Sequence, residues 1–337
     1  MKYTKVYLDA IGYELAPNVV TSAELEDRVA PVYQKLGLPL GQLEALTGIR
    51  ERRWWDPGFA VSNGAIAAAR KALANSSVKA EDLGAVIYAG VCRDNSEPAT
   101  ACAVASAVKA SADAAVFDIS NACLGVVNGI IDVANRIELG QIRAGLVTSC
   151  ESAREINDSM IESMKRDPSM EHFRASIATL TGGSGGVACL LTDGSFGSKR
   201  RKLLGGAHQT APDHHAMCRW NRDFMTTDAA GVLREGAVIA KKTYDKMLGT
   251  LGWKRDGSDK VVFHQVGGAH RAALLSNLGI SESKDFNTYE FLGNIGTVSL
   301  PLTAAVAEER EFLSPGDTVT FLGIGSGLNC LMLGWQW

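Results

Sequence analysis

The sequence predicts an α/β protein built from two similar halves, and three features of it say so. Short apolar runs without strict alternation, at 85–91, 115–119, 145–149, 186–191, 261–266 and 318–324, read as strands buried on both faces. Helix-length amphipathic patterns lie between them, at 65–73, 101–108, 124–138, 233–248, 269–278 and 302–311. The third feature is a repeated order of elements. Strand 85–91 leads through a polar loop and a helix to strand 115–119, a small-residue turn, a second helix and strand 145–149. Strand 261–266 leads to helix 269–278, segment 287–292, the turn Gly293-Asn294-Ile295-Gly296, helix 302–311 and strand 318–324. The expected division is 1–180 and 181–337, with chemistry at the strand C-terminal ends where the halves meet.

Composition narrows the function classes. The 337 residues suit two units of roughly 150. With 46% hydrophobic and 21% charged residues, the chain is neither disordered nor a multi-span membrane protein. A net charge of −3 gives no basic excess for nucleic acid or an anionic membrane. Residues 1–10 alternate and include Asp9, so they read as a strand rather than a signal peptide. The most apolar stretch, 114–139, is broken by Asp118, Asn121, Asp132, Asn135, Arg136 and Glu138, and reads as a buried helix rather than a span. Seven scattered cysteines without C-x-x-C indicate a reduced, cytoplasmic protein.

Cys123 has a setting that the other cysteines lack. It ends the turn Ser120-Asn121-Ala122 between a buried strand and an apolar helix, where unpaired N–H groups and the helix dipole favour thiolate. Gly125 and Gly129 would let a substrate or another backbone approach. This favours a nucleophile over a small buried hydrophobe. His264 stands where the run Val261-Val262-Phe263 ends, a place that suits a pocket or a satisfied core histidine equally. Asn294, between Gly293 and Gly296, reads by itself as a turn asparagine in left-handed conformation. Glu97, in Arg93-Asp94-Asn95-Ser96-Glu97-Pro98, fits either a solvated loop charge or a general base. Gly323-Ile324-Gly325-Ser326-Gly327 and Gly182–Gly186 lack the dinucleotide and phosphate-loop patterns, and read as close-packing turns. His208, His214, His215 and Cys218 match no familiar zinc spacing.

Taken together, these positions resemble the thiolase superfamily in its ketoacyl synthase III-like branch. The resemblance covers nearly the whole chain: Thr47-Gly48-Ile49-Arg50-Glu51-Arg52, Asn121-Ala122-Cys123, His264-Gln265, Gly293-Asn294-Ile295-Gly296 and the loop at 323–327. It implies a five-layered α-β-α-β-α core of two pseudo-symmetric halves, and a homodimer. It also implies roles: Cys123 is acylated, His264 and Asn294 hold the second substrate, and the amides of Cys123 and Ser326 form an oxyanion hole. No resident cofactor or metal is expected, because coenzyme A thioesters are the substrates.

Glu97 selects the branch. Decarboxylating ketoacyl synthase III enzymes make their carbanion by losing CO2 and need no carboxylate base. Cys92-Arg93-Asp94…Glu97-Pro98 and the ending Gly323-Ile324-Gly325-Ser326-Gly327-Leu328-Asn329-Cys330 resemble the OleA-type β-keto acid synthases, which join two fatty acyl-CoA molecules head to head. HMG-CoA synthase, also non-decarboxylating, pairs a glutamate with its cysteine and histidine. With no CO2 to release, a base must take the α-proton. The resemblance therefore implies the first step of long-chain olefin synthesis, with downstream olefin-pathway enzymes as partners. It requires the Glu97 carboxyl within reach of the Cys123 sulfur. The nearer rival is a decarboxylating ketoacyl synthase III, or an acyltransferase with a carrier-protein-bound acceptor. The more distant rival is a non-catalytic scaffold, which forms no adduct at Cys123. One departure stands at the CoA entrance, where the family's arginine and tryptophan are replaced by Leu46 and Gln42. Arg50, Arg154 and Arg271 are the candidate phosphate contacts.

Overall fold

The structure, a computed structural model, describes residues 1–221 and 224–337. Ten strands form its main sheet: β1 (Tyr7–Leu15), β2 (Leu83–Tyr88), β3 (Ala115–Asp118), β4 (Ala144–Glu151), β5 (Gly185–Thr192), β6 (Lys202–Thr210), β7 (Lys260–Phe263), β8 (Asp285–Phe286), β9 (Thr318–Gly325) and β10 (Asn329–Gln336). They lie in the order β8-β7-β9-β10-β6-β1-β5-β4-β2-β3. Each half of that order repeats the other in sense. β2 is parallel to β3 and β4, β4 is antiparallel to β5, and β5 to β1. Likewise β7 is parallel to β8 and β9, β9 is antiparallel to β10, and β10 to β6. The halves meet where Tyr7 pairs with Lys202.

The expected division at 180/181 falls ahead of β5, yet β5 pairs with β1 and β4, so the joint lies in 193–201 instead. The glycine run at 182–186 is a packing device and not a linker. A Cβ on Gly183 would stand 2.0 Å from the Leu292 carbonyl oxygen.

Six helices cover the sheets: α1 (Val61–Ala74), α2 (Thr100–Val108), α3 (Gly125–Glu138), α4 (Ala229–Leu251), α5 (Gly268–Leu278) and α6 (Ser299–Glu309). Successive strand residues point to opposite faces. Ile87, Val187, Cys189 and Leu191 enter a central core, while Val86, Tyr88, Ala188 and Leu190 enter an outer one under α1 and α2. In the second half Phe321, Leu333 and Trp335 join the central core, and Leu322, Ile324 and Met332 lie under α4 and α5. Helices α3 and α6 fill the middle, which gives the five α-β-α-β-α layers. Burial on both faces is why the strands read as continuous apolar runs.

A short strand, β8, precedes the helical turn Tyr289–Leu292. Among the described residues no helix is long and apolar enough to cross a membrane.

Candidate active site

The nucleophile turn is built by sterics. After β3 the chain passes through Asn121 (φ −152°) to Ala122 at φ +44°, then a single 3-10 turn, Ala122–Leu124, that opens α3. A non-glycine residue there costs about 1–3 kcal/mol and persists only where its surroundings over-determine it. Gly125 lets the turn pack on the end of β2, since a Cβ would stand 2.2 Å from the Ala89 carbonyl oxygen. The Val126 amide donates to Thr297 Oγ1 at 2.8 Å, which fixes α3 to the turn ahead of α6.

The electrostatics of Cys123 reverse the sequence expectation. Burial pushes its thiol up to about 12, with Cys218 and Glu151 adding to the rise and its own amide opposing it. A rise of this size from 9.0 corresponds to about 4 kcal/mol. A helix N-terminus supplies about 0.3–1 kcal/mol, and at most about 2. Burial wins, and the resting sulfur is a protonated thiol. Its alkylation by iodoacetamide should therefore climb about tenfold per pH unit between pH 7 and 10. A plateau in that rate below pH 9 would contradict the assignment.

His264 lies at the end of β7, where its amide donates to the Leu322 carbonyl of β9. Burial, aided by His270, lowers its pKa to about 3, so the ring is neutral at working pH. Its Nδ1 is 2.6 Å from Ser299 Oγ, the first residue of α6. Because the Gln265 amide donates to that same oxygen, the Ser299 proton is free to point at Nδ1. With Ser299 donating to Nδ1, the ring proton sits on Nε2. The sequence pattern alone does not single out Ser299.

Asn294 is not left-handed; Gly293 (φ +66°) and Gly296 (φ +58°) take the positive angles. Its Oδ1 accepts from the Gly296 amide, and its backbone bridges Thr181 and Gly183. Among the described residues Nδ2 has no acceptor. Ser326 follows β9 in the turn to β10. A Cβ on Gly325 would stand 3.5 Å from the Cys123 amide nitrogen, so the Ser326 turn lies against the nucleophile turn. Cys123, Asn294, His264 and Ser326 are thus tied together by the segment 294–299 and the end of β9.

Glu97 is not among them. Its side chain is exposed, with no hydrogen-bond or ion-pair partner among the described residues. The carboxylate that Cys123 feels within its own chain is that of Glu151. The expected proximity within one chain fails, and the reason lies in how the loop is held. Glu151 accepts from the Val91 and Cys92 amides, Asp94 from those of Val61 and Ser62, and Asp118 from those of Thr100 and Ala101. Both ends are clamped inward while the stretch bearing Glu97 is turned out, beside the edge strand β3. Burial raises the pKa of Glu151. It ends strand β4, as His264 follows β7, and the same strand-end reasoning could have found it.

Other candidates disperse. Arg154 donates to the Trp55 carbonyl and Arg271 pairs with Asp285 and Glu282, while Arg50 is exposed. His214 faces Glu235, His215 turns to the Pro212 carbonyl and Cys218 to Thr227. No group fit to hold a metal forms among the described residues.

Residues 248–337 match the family described as 3-oxoacyl-[acyl-carrier-protein (ACP)] synthase III C terminal. Over its full length the chain is 55% identical to the acyl-CoA:acyl-CoA alkyltransferase of Shewanella oneidensis, with all of both chains covered. It is 35% identical to the Xanthomonas campestris enzyme of the same name, again with full coverage of both. The chain belongs to the acyl-CoA:acyl-CoA alkyltransferase family. A crystal structure of a cysteine-to-alanine variant of Xanthomonas campestris OleA superposes with TM-score 0.97 at 35% identity, covering 100% of this chain and 98% of that one. The family's thiolase-like fold is therefore the fold of this chain. Solved OleA variants alter a cysteine, a glutamate and a histidine whose separations along the chain match those of Cys123, Glu97 and His264 to within a residue. Another OleA structure holds lauric acid and lauroyl-CoA. Ketoacyl synthase III of Oceanobacillus iheyensis is more distant, at 27% identity with 97% of each chain covered.

Proposed function

We propose that the protein joins two fatty acyl-CoA molecules head to head, without decarboxylation, to give a β-keto acid. This reading is supported by the packing of the Cys123 turn on the Ser326 turn, and by the bond from Val126 to Thr297 in the segment 294–299 that carries Asn294 and the Ser299 partner of His264, in a chain 55% identical to an acyl-CoA:acyl-CoA alkyltransferase. The Cys123 sulfur attacks the first thioester and its proton leaves with the coenzyme A thiol. The second acyl-CoA sets its thioester oxygen against His264 Nε2–H and Asn294 Nδ2. Glu97 takes the α-proton, and the carbanion attacks the Cys123 thioester. The amides of Cys123 and Ser326 hold the oxyanion. Collapse expels the Cys123 sulfur, which recovers the proton from Glu97, and water then cleaves the β-ketoacyl-CoA. No resident cofactor enters these steps.

The position of Glu97 asks for a second copy. An exposed carboxylate on a clamped loop beside an unpaired edge strand suits a homodimer in which that loop reaches Cys123 of the partner subunit. In the cell the enzyme acts in the cytoplasm at the start of long-chain olefin synthesis and hands its product to downstream olefin-pathway enzymes. Incubation with myristoyl-CoA, followed by mass spectrometry, should give the β-keto acid and the ketone from its spontaneous loss of CO2. Turnover only with malonyl carrier protein would assign the decarboxylating reaction instead.

A further inference from the structure

Two residues before the nucleophile, Asn121 is the middle link of an asparagine chain that the reaction above does not use. Asn329, which opens β10, donates through Nδ2 to Asn121 Oδ1 at 2.9 Å. Asn121 donates through its own Nδ2 to Asn128 Oδ1 on α3 at 2.6 Å. The same Asn329 Nδ2 lies 3.4 Å from the Ser326 carbonyl oxygen. The chain thus runs from α3, through the nucleophile turn, to the turn that presents the Ser326 amide. The three side chains are half-buried and line a cavity of about 470 Å³ with Leu124, Ile131 and His208.

These two turns come from opposite halves of the protein. They touch closely, because a Cβ on Gly325 would stand 3.2 Å from Leu124 Cγ and 3.5 Å from the Cys123 nitrogen. No backbone hydrogen bond joins them among the described residues. The Asn329–Asn121 bond is the polar link across this contact. Asn121 is held on both ends of its amide, accepting at one and donating at the other, so it cannot rotate without breaking both. It directly precedes Ala122, whose positive φ needs such fixing.

We propose that Asn121 and Asn329 are positioning residues that hold the Cys123 and Ser326 amides at the spacing one oxyanion requires, with Asn128 as their anchor on α3. Oxyanion donors act within about 2.7–3.1 Å, and a 1 Å misplacement costs about 10²-fold. This proposal rests on Cys123 being the acylated residue. It concerns the register of the two turns and not substrate affinity.

The test measures single-turnover acylation by myristoyl-CoA in Asn121→Ala, Asn329→Ala and the double variant. Myristoyl-CoA binding is measured separately, with each change combined with Cys123→Ala. Each single variant should acylate about 10- to 100-fold more slowly with binding unchanged. The double variant should be no slower than the worse single one, since both changes cut the same link. Unchanged acylation in the single variants overturns the proposal, as does a double loss equal to the product of the single losses. A loss confined to binding or thermal stability also overturns it. Should an alanine variant fail to fold, Asn121→Ser and Asn329→Ser carry the same readout. An acyl adduct in Cys123→Ala itself would remove the nucleophile assignment. Normal acylation in Asn329→Ala with no adduct in Cys123→Ala removes the clamp alone.

Discussion

Replacing Glu97 by Ala should leave the mass-shifted acyl-enzyme at Cys123 in place and lower condensation by about 10²–10⁴-fold, the usual loss when a general base is removed. The two half-reactions separate because acylation passes the thiol proton to coenzyme A and needs no carboxylate, whereas the α-carbon of a thioester gives up its proton only to a positioned base. Exposure of Glu97 sharpens the experiment. When Cys123→Ala and Glu97→Ala chains are combined by coexpression, each mixed dimer holds one intact site, with Cys123 from one subunit and Glu97 from the other. Random pairing puts about a quarter of all sites in that state, so activity returns to about a quarter of wild type. Recovery from two chains that are each inactive assigns the base to the partner subunit. If the mixture stays inactive while the purified mixed dimer is demonstrably present, the base acts within its own chain. Full condensation by Glu97→Ala alone removes Glu97 from the mechanism.

The sequence revealed the layered fold where the physics is one-dimensional. Apolar runs mark strands buried on both faces, so β2, β4, β5, β7 and β9 were found close to their observed limits. β6 escaped because Gly205-Gly206 interrupts its apolar pattern, and the helix Ser22–Leu36 because Pro31 lies inside it. Strand-end logic located His264 and could have located Glu151, which also stands where a buried strand runs out. The protonation of Cys123 was not legible. A helix N-terminus shows in the local sequence, while the burial that outweighs it, and the charge effects of Cys218 and Glu151 that add to it, arise from contacts distant in sequence. The partners of Arg271 were equally hidden. Glu97 and Arg271 both looked like free loop or surface charges, yet Arg271 is tied to Asp285 while Glu97 is left open. Tunnels for acyl chains remain hidden in sequence for a related reason, since apolar residues that line a channel and those that fill a core have the same composition.

The second large effect is expected at His264. With its pKa lowered to about 3, the ring carries no charge between pH 5 and 8, so it contributes no ionisation to the rate profile in that range. In the proposed reaction Nε2–H is a neutral donor to the thioester oxygen where enolate charge develops. His264→Ala should lower condensation by about 10²–10³-fold, the loss typical of one such donor. Ser299→Ala tests how the donor is aimed. It deletes the hydroxyl whose proton holds Nδ1 as an acceptor and leaves the imidazole free to place its proton on either nitrogen. A loss of about 10- to 100-fold is expected, the range seen when an outer partner of a working histidine is removed. In the His264→Ala background the same serine change should cost almost nothing further, because the hydroxyl acts only through the ring. Equal losses from Ser299→Ala with and without His264 would show that the serine serves the packing of α6 instead. An inflection near pH 6.5 that vanishes in His264→Ala would show that the ring is protonated in the working enzyme and acts as an acid.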